Sequence, residues 1–173
     1  METVGTVGEQ GPLIDLFKAD LSYRGDMEAV VSPEGRRGAL IGSGDGVVSG
    51  ERIRGRVQWS FYSGDCAYLL VKAGLTPSPE QHLCTADPGG IIETEDGAII
   101  RFDARGYGFR GVDADRPHLW RLAMALQFST EDERYDWLND SFGVWFGEFD
   151  ERVGRAHYRA YLANGASGMH VRE

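Results

Sequence analysis

The residues from Ile53 to Phe61 alternate between apolar or small side chains and polar ones, and this pattern most constrains the fold. The first set is Ile53, Gly55, Val57, Trp59 and Phe61, and the second is Arg52, Arg54, Arg56, Gln58 and Ser60. A period of two residues with one apolar side predicts a β-strand that buries one face and exposes the other. Such a strand belongs to a sheet whose apolar side covers a core.

Similar short segments recur along the chain between turn-forming residues. We predict further strands over Leu13–Tyr23, Ala67–Val71, Ile91–Thr94, Ala98–Tyr107, Leu119–Phe128, Phe142–Phe149 and Val153–Leu162. Asp96-Gly97 and the Phe149–Glu151 region predict two hairpin turns. Ser32–Gly38 and Ser43–Gly46 predict turns, and Gly74–Pro88, which carries three prolines, predicts a long loop.

One segment, Phe128–Asn139, predicts a short helical turn near residues 131–138. Thr130 is followed three residues later by Glu133, which is the spacing of a capping box. Tyr135, Trp137 and Leu138 then supply bulky groups that we expect to seal one end of a sheet-built core.

Length and composition favour one closed all-β domain. The chain has 173 residues, enough for a single domain with a real core, and its 24 glycines are typical of many tight turns. Short antiparallel strands must hide their edges, and closure of the sheet does so most completely. We therefore predict a single antiparallel β-barrel of about eight to ten strands over residues 12–163, with flexible tails at 1–11 and 164–173.

Charge and cysteine content restrict the partners and the compartment. A net charge of −9 disfavours binding to nucleic acid and to anionic membranes. The two cysteines do not form a disulfide scaffold, and neither a signal peptide nor a membrane-spanning apolar run is recognisable. These features predict a cytoplasmic protein. An exposed strand edge or apolar outer patch would pair two copies, so we expect a homodimer.

Several motifs together resemble a known family. They are G-D-G-V-V-S-G at Gly44–Gly50, R-I-R-G-R-V at Arg52–Val57, E-T-E-D-G-A-I-I at Glu93–Ile100, the Phe128–Asn139 segment, and the closing H-Y-R-A-Y strand. In order and spacing the chain is similar to the β-barrel family of domain of unknown function 3237 (DUF3237). The resemblance implies a lipocalin-like barrel with a central cavity and does not imply a particular reaction.

Two rows of charged side chains could serve either a site or a solvated surface. Arg52, Arg54 and Arg56 share one face of a strand, as do Arg101, Asp103 and Arg105, with Tyr107 following. If these faces point into the barrel, Arg54, Arg101 and Tyr107 can hold a substrate oxyanion and Asp103 can move a proton. If they point outward, they are exposed ion pairs of little energetic value.

Other candidates for proton transfer are His118, His157, Asp65 and Glu148. A histidine is suited to proton transfer near neutral pH, although a lone histidine in a strand is more often only hydrogen-bonded or exposed. Glu148 shares its strand face with Phe142, Val144 and Phe146, which predicts a buried carboxylate with a raised pKa. The aromatic residues Trp59, Trp120, Trp145 and Tyr158 either line a ligand cavity or fill the core.

No motif of a hydrolase, a nucleotide-binding loop or a zinc site is present in the sequence. We therefore expect neither a metal nor a cofactor. Three hypotheses remain open. The first is a cofactor-independent lyase, isomerase or cyclase that acts on a hydrophobic oxygenated small molecule, such as an aromatic or polyketide-like compound of secondary metabolism. The second is a carrier barrel without chemistry, and the third is a structural barrel whose interior is filled.

Overall fold

The computed structural model describes residues 13–24, 28–31, 38–64, 83–110, 116 and 118–163. Within them the strands are β1 (Ile14–Tyr23), β2 (Glu28–Val31), β3 (Gly38–Ser49), β4 (Arg54–Gly64), β5 (Leu83–Thr94), β6 (Ile99–Arg110), β7 (Leu119–Ser129), β8 (Phe142–Asp150) and β9 (Arg155–Leu162). A 3₁₀ helix spans Glu133–Leu138 between β7 and β8.

The described strands form one antiparallel barrel. Each strand from β3 to β9 pairs with the next in sequence, β9 pairs with β1, and β1 pairs with β3. Eight strands therefore close the ring, while the short β2 pairs with the first part of β3. The predicted all-β barrel with one short helical turn is confirmed.

Alternation decides which side chains fill the barrel. In β4, Val57 and Trp59 are buried while Arg54, Arg56 and Gln58 are exposed, as the two-residue period predicts. β6 follows the same rule, with Ile100, Phe102 and Ala104 inside the barrel.

The 3₁₀ helix closes one end of the barrel. Leu138 is fully buried, and Tyr135 and Trp137 pack against the core, so the predicted apolar plug is confirmed. The predicted cap is wrong, because Asp132 is the N-cap and its side chain accepts a hydrogen bond from the Arg134 backbone N–H. The Thr130 hydroxyl instead donates to the Ile99 carbonyl oxygen, which ties the approach to the helix to β6.

Two predicted loops are wrong. Ser43–Gly46 lies inside β3 and pairs with β1 and β4, because its glycines permit close contact with the neighbouring strands. Leu83–Pro88 belongs to β5, although Pro88 is one of the three prolines that predict the loop. The predicted strand Ala67–Val71, the predicted turn from 32 to 37 and both predicted tails lie outside the described residues.

Candidate functional site

An apolar cavity lies inside the barrel at the end opposite the 3₁₀ helix. It is bordered by the last residues of β1, β4 and β8 and by the first residues of β5 and β7. Its lining includes Tyr23, Trp59, Phe61, Trp120, Trp145 and Tyr158. The cavity volume is about 40 Å³. That space accommodates water or a small chemical group and is well below the roughly 300 Å³ of an ordinary ligand pocket.

Packed aromatic rings restrict the cavity. Tyr23 packs against Trp59 with ring centroids 4.5 Å apart and against Phe149 at 4.2 Å. Trp145 packs against Tyr158 at 4.9 Å and against Phe102 at 5.5 Å. A planar apolar group that enters here therefore meets ring faces and edges on several sides.

Two phenol groups supply polarity inside this apolar wall. Burial raises the pKa of Tyr158 well above its ordinary value, and a hydrogen bond with the Tyr23 side chain opposes that rise. Tyr158 is therefore a neutral hydroxyl at physiological pH and can donate or accept a hydrogen bond.

Two indole N–H groups are buried without a hydrogen-bond partner. Trp59 and Trp145 both line the cavity, and the Nε1 atom of each finds no acceptor among the residues that the structure describes. A buried donor without an acceptor carries a desolvation cost of about 1–3 kcal/mol. An oxygen atom placed next to either indole would remove that cost.

A polar cluster lies at the same end of the barrel and contacts the cavity wall through Trp120. The Trp120 indole N–H donates to Glu151 Oε2 at 2.8 Å, and Arg110 Nη2 donates to the same oxygen at 2.7 Å. Burial raises the pKa of the Glu151 carboxyl, while the hydrogen bond from Trp120 and the charge of Arg110 oppose that rise. Glu151 is thus a partly desolvated carboxylate held in a fixed position.

His118 belongs to this cluster and is buried, with 8% of its surface exposed. Its Nε2 atom lies 2.6 Å from Arg152 Nη2 and 3.6 Å from Asp150 Oδ2. Because a guanidinium only donates hydrogen bonds, a neutral His118 accepts from Arg152 through Nε2 in this arrangement. His118 Nε2 therefore lies near one guanidinium and one carboxylate.

The predicted site residues divide between the interior and the outer surface. Trp59, Trp120, Trp145 and Tyr158 face the cavity, and His118 lies in the polar cluster at its end. On the outside lie Arg54, Arg101, Asp103, Tyr107, Glu148 and His157. Asp65 lies outside the described residues.

The sequence predicts that Glu148 is buried, and this prediction is wrong. Its side chain is 50% exposed and lies 3.6 Å from Arg121 Nε. The shared strand face was identified correctly, but Phe142 and Phe146 are themselves 43% and 44% exposed, so this is the outer face. For Asp103 and Arg101 the outward alternative holds, because β6 directs Phe102 and Ala104 into the core.

Sequence reasoning missed Tyr23, Arg110, Asp150, Glu151 and Arg152. The sequence pattern could have identified Tyr23, because this residue continues the inward alternation of Ala19 and Leu21 along β1. Glu151 was assigned only to a turn, and its contact with Arg110 joins residues 41 positions apart. No local spacing indicates a contact of that kind.

The described residues contain no group of three or more His, Cys, Asp or Glu side chains placed to hold a metal ion. In this part of the chain no helix is long and apolar enough to span a membrane.

Fold and site together define a small closed β-barrel with an aromatic cavity and a polar cluster at one end. The chain belongs to the family described as protein of unknown function (DUF3237), which matches residues 18–163. The predicted family is thereby confirmed. A comparison with curated proteins found no match.

Solved structures share this fold at low sequence identity. A β-barrel-like protein from Acinetobacter baumannii is 20% identical, with a TM-score of 0.68 over 87% of this chain and 94% of that one. A conserved protein of unknown function from Rhodopseudomonas palustris is 19% identical, with a TM-score of 0.68 over 87% and 96% of the two chains. A protein from Penicillium herquei described as an enzyme is 19% identical, with a TM-score of 0.57 over 91% and 99%.

Proposed function

We propose that this protein is a cofactor-independent enzyme of the lyase, isomerase or cyclase type. Its substrate is a hydrophobic oxygenated small molecule, such as an aromatic or polyketide-like metabolite, that binds at the end of the barrel opposite the 3₁₀ helix. One observation carries the proposal: an aromatic cavity with unpartnered N–H donors adjoins a polar cluster that contains a buried histidine.

Binding depends on the cavity lining. A cavity of about 40 Å³ takes one small substituent of the substrate, while the remaining rings lie at the end of the barrel. The indole groups of Trp59 and Trp145 donate to the oxygen of that substituent. The Tyr158 hydroxyl adds a neutral hydrogen-bonding group. Donors directed at an oxygen that gains negative charge stabilise an enolate-like transition state.

Proton transfer is assigned to His118. Its Nε2 lone pair becomes free when the Arg152 side chain, which is 66% exposed, moves away. After His118 accepts the proton, Asp150 stabilises the imidazolium. Glu151 acts as a positioning residue because it holds Trp120 and Arg110 in place. A barrel of the same fold from Penicillium herquei is described as an enzyme, and this description is compatible with the assignment.

The test starts with native mass spectrometry of the protein purified from its own host. A small molecule that copurifies stoichiometrically is identified and then supplied to the wild type and to His118→Gln. We expect kcat to fall on the order of 10²–10⁴-fold while the dissociation constant stays within about twofold, because general acid–base catalysis acts on the chemical step. Asp103→Asn is the control, since Asp103 is an exposed carboxylate on the outside of β6.

A carrier barrel without chemistry is the second candidate. The described lining of the cavity contains no carboxylate and no imidazole, which favours binding alone. In that case Trp59→Phe or Trp145→Phe weakens binding, and the bound molecule is recovered unchanged whether or not His118 is present. Unchanged turnover in His118→Gln would overturn the assignment of His118. A protein that binds no small molecule and gains no thermal stability from a broad metabolite panel would overturn both candidates.

A further inference from the structure

The outer surface of β7, β8, β9 and β1 carries an open groove of about 630 Å³. Its walls include Asp20, Arg121, Phe146, Glu148, His157 and Arg159. Ala123 and Gly147 also line it, and neither carries a side chain larger than a methyl group. We call this feature the outer groove. It faces away from the cavity and takes no part in the function proposed above.

Four ionisable side chains form one cross-strand row along the outer groove. The strand registers pair Arg121 with Glu148, Glu148 with His157, and His157 with Asp20. Within one copy Arg121 pairs with Glu148 and His157 pairs with Asp20, and all four side chains remain between 50% and 69% exposed. In strand order the row reads cation, anion, histidine and anion. We call this set the charge row.

The charge row is complementary to itself. If a second copy packs face to face, with its two-fold axis parallel to the strands and between β8 and β9, the order of the row is reversed in the copy. Arg121 then faces Asp20 of the second copy, and Glu148 faces His157 of the second copy. Each of these contacts occurs twice, as a two-fold interface requires. An alternating row of four members has this property, whereas a row of one sign would repel its copy.

The neighbouring row fits the same arrangement. One step along the strands, the order across the groove is Ala123, Phe146, Arg159 and Lys18. The same axis places Phe146 opposite Arg159 of the second copy, which is a cation–π contact.

We propose that the outer groove is the interface of a homodimer. Charge complementarity selects the occupant, because an acidic or a basic partner would match only half of the charge row, whereas a second copy matches all of it. The arrangement also gives Glu148 and His157, which face away from the cavity, a role in assembly. The cavity end of the barrel stays open in this dimer, because the interface uses the side of the barrel.

Sedimentation velocity on charge variants tests the proposal. The wild type is expected to sediment as a dimer. In Glu148→Lys a cation faces His157 of the second copy, and in His157→Glu two anions face each other, so each variant alone should dimerise on the order of tenfold or more weakly. An equal mixture of the two variants should recover dimers, because the lysine of one chain then faces the glutamate of the other.

Glu93→Lys is the matched control, since Glu93 is an exposed glutamate paired across strands with Arg56 on β4, outside the outer groove. Far-UV circular dichroism verifies that the variants fold, as expected for exposed positions. A wild type that stays monomeric up to about 0.1 mM, where even a weak interface is populated, would overturn the proposal. So would a dimer that Glu93→Lys and Glu148→Lys weaken equally, or a mixture that remains monomeric.

Discussion

At Gly44 the barrel has room for a hydrogen atom and no more. A Cβ atom there would overlap the Ser22 carbonyl oxygen and would lie 2.6 Å from Cε2 of Trp59. The absence of a side chain thus allows the Trp59 indole to pack against β3 at Gly44. Gly44 is required for packing rather than for a turn.

Gly44→Ala should therefore destabilise the protein by about 1–3 kcal/mol, because an extra methyl group in a filled core displaces its neighbours. Urea unfolding followed by tryptophan fluorescence measures the effect. Asp45→Ala is the control, since the exposed ion pair between Asp45 and Arg24 is long, at 3.4 Å, and should contribute less than about 0.5 kcal/mol. Equal stability of the two variants would contradict the packing role of Gly44.

Gly44 also shows where prediction from the sequence fails. Alternation in Ile53–Phe61 predicts β4 and its inward face correctly, because burial of one face imposes a period of two. Ser43–Gly46 reads as a turn because glycine and aspartate favour turns locally. The Ser22 carbonyl oxygen and the Trp59 ring on the two neighbouring strands explain glycine inside β3, and a single local pattern does not contain those contacts.

At the scale of elements, the hairpin between β5 and β6 is fastened to the 3₁₀ helix by Asp96. Its carboxylate accepts hydrogen bonds from the hydroxyls of Thr94 and Tyr135 and pairs with Arg134 Nη1 at 2.9 Å. The hydrogen bond from Thr94 is the main cause that lowers the pKa of Asp96, and Tyr135 and Arg134 add to it. Arg134 also pairs with Asp132, which caps the helix.

This contact should make the stability of the barrel depend on acidity. Because the pKa of Asp96 is lower in the folded protein than in the unfolded chain, the carboxylate contributes stability above the ordinary value of 3.8. That contribution is lost as the pH falls through the lowered pKa. Asp96→Asn should be less stable at neutral pH and should lose less stability than the wild type between about pH 5 and pH 2.

Thermal unfolding across this pH range measures the difference between the two proteins. Glu95→Gln, an exposed neighbour in the same turn, is the control and should follow the wild type. Parallel curves for the wild type and Asp96→Asn would contradict the assigned role.

The candidate site shows the same division between local and long-range information. From the sequence, the direction of the charged face of β6 stays open. Arg101, Asp103 and Arg105 alternate with small and apolar residues, and the charged face suits a polar binding cavity as well as a solvated outer surface. His118 and the four cavity aromatics were named from residue chemistry alone. Their partners were not named, because Arg110, Glu151 and Tyr23 meet them only after the barrel has closed.

For the whole molecule, the two ends of the barrel differ in packing. Among the residues that the structure describes, the most completely buried large side chains are Ile53, Val57, Ile92, Ile100, Leu126 and Leu138. These lie toward the end that the 3₁₀ helix closes, whereas the cavity and the polar cluster lie at the other end. The half that carries the site has fewer fully buried large side chains, so we expect it to contribute less to the stability of the barrel.

Two leucines of β7 test this division within one strand. Leu126 is fully buried toward the closed end, whereas Leu122 is only partly buried and lines the cavity. Leu126→Ala should cost about 2–5 kcal/mol of unfolding free energy, because it removes buried contacts and leaves a new void. Leu122→Ala should cost less, because its side chain already borders empty space. The free energies come from urea unfolding of both variants.

Leu122→Ala should also enlarge the cavity, so that a small aromatic probe such as benzene raises the melting temperature of this variant more than that of Leu126→Ala or the wild type. Equal costs for the two substitutions, together with no gain from benzene in Leu122→Ala, would mean that the barrel is packed uniformly from end to end. The cavity would then contribute nothing to binding. The larger gain for Leu122→Ala would place the binding end of the molecule where the aromatic cavity lies.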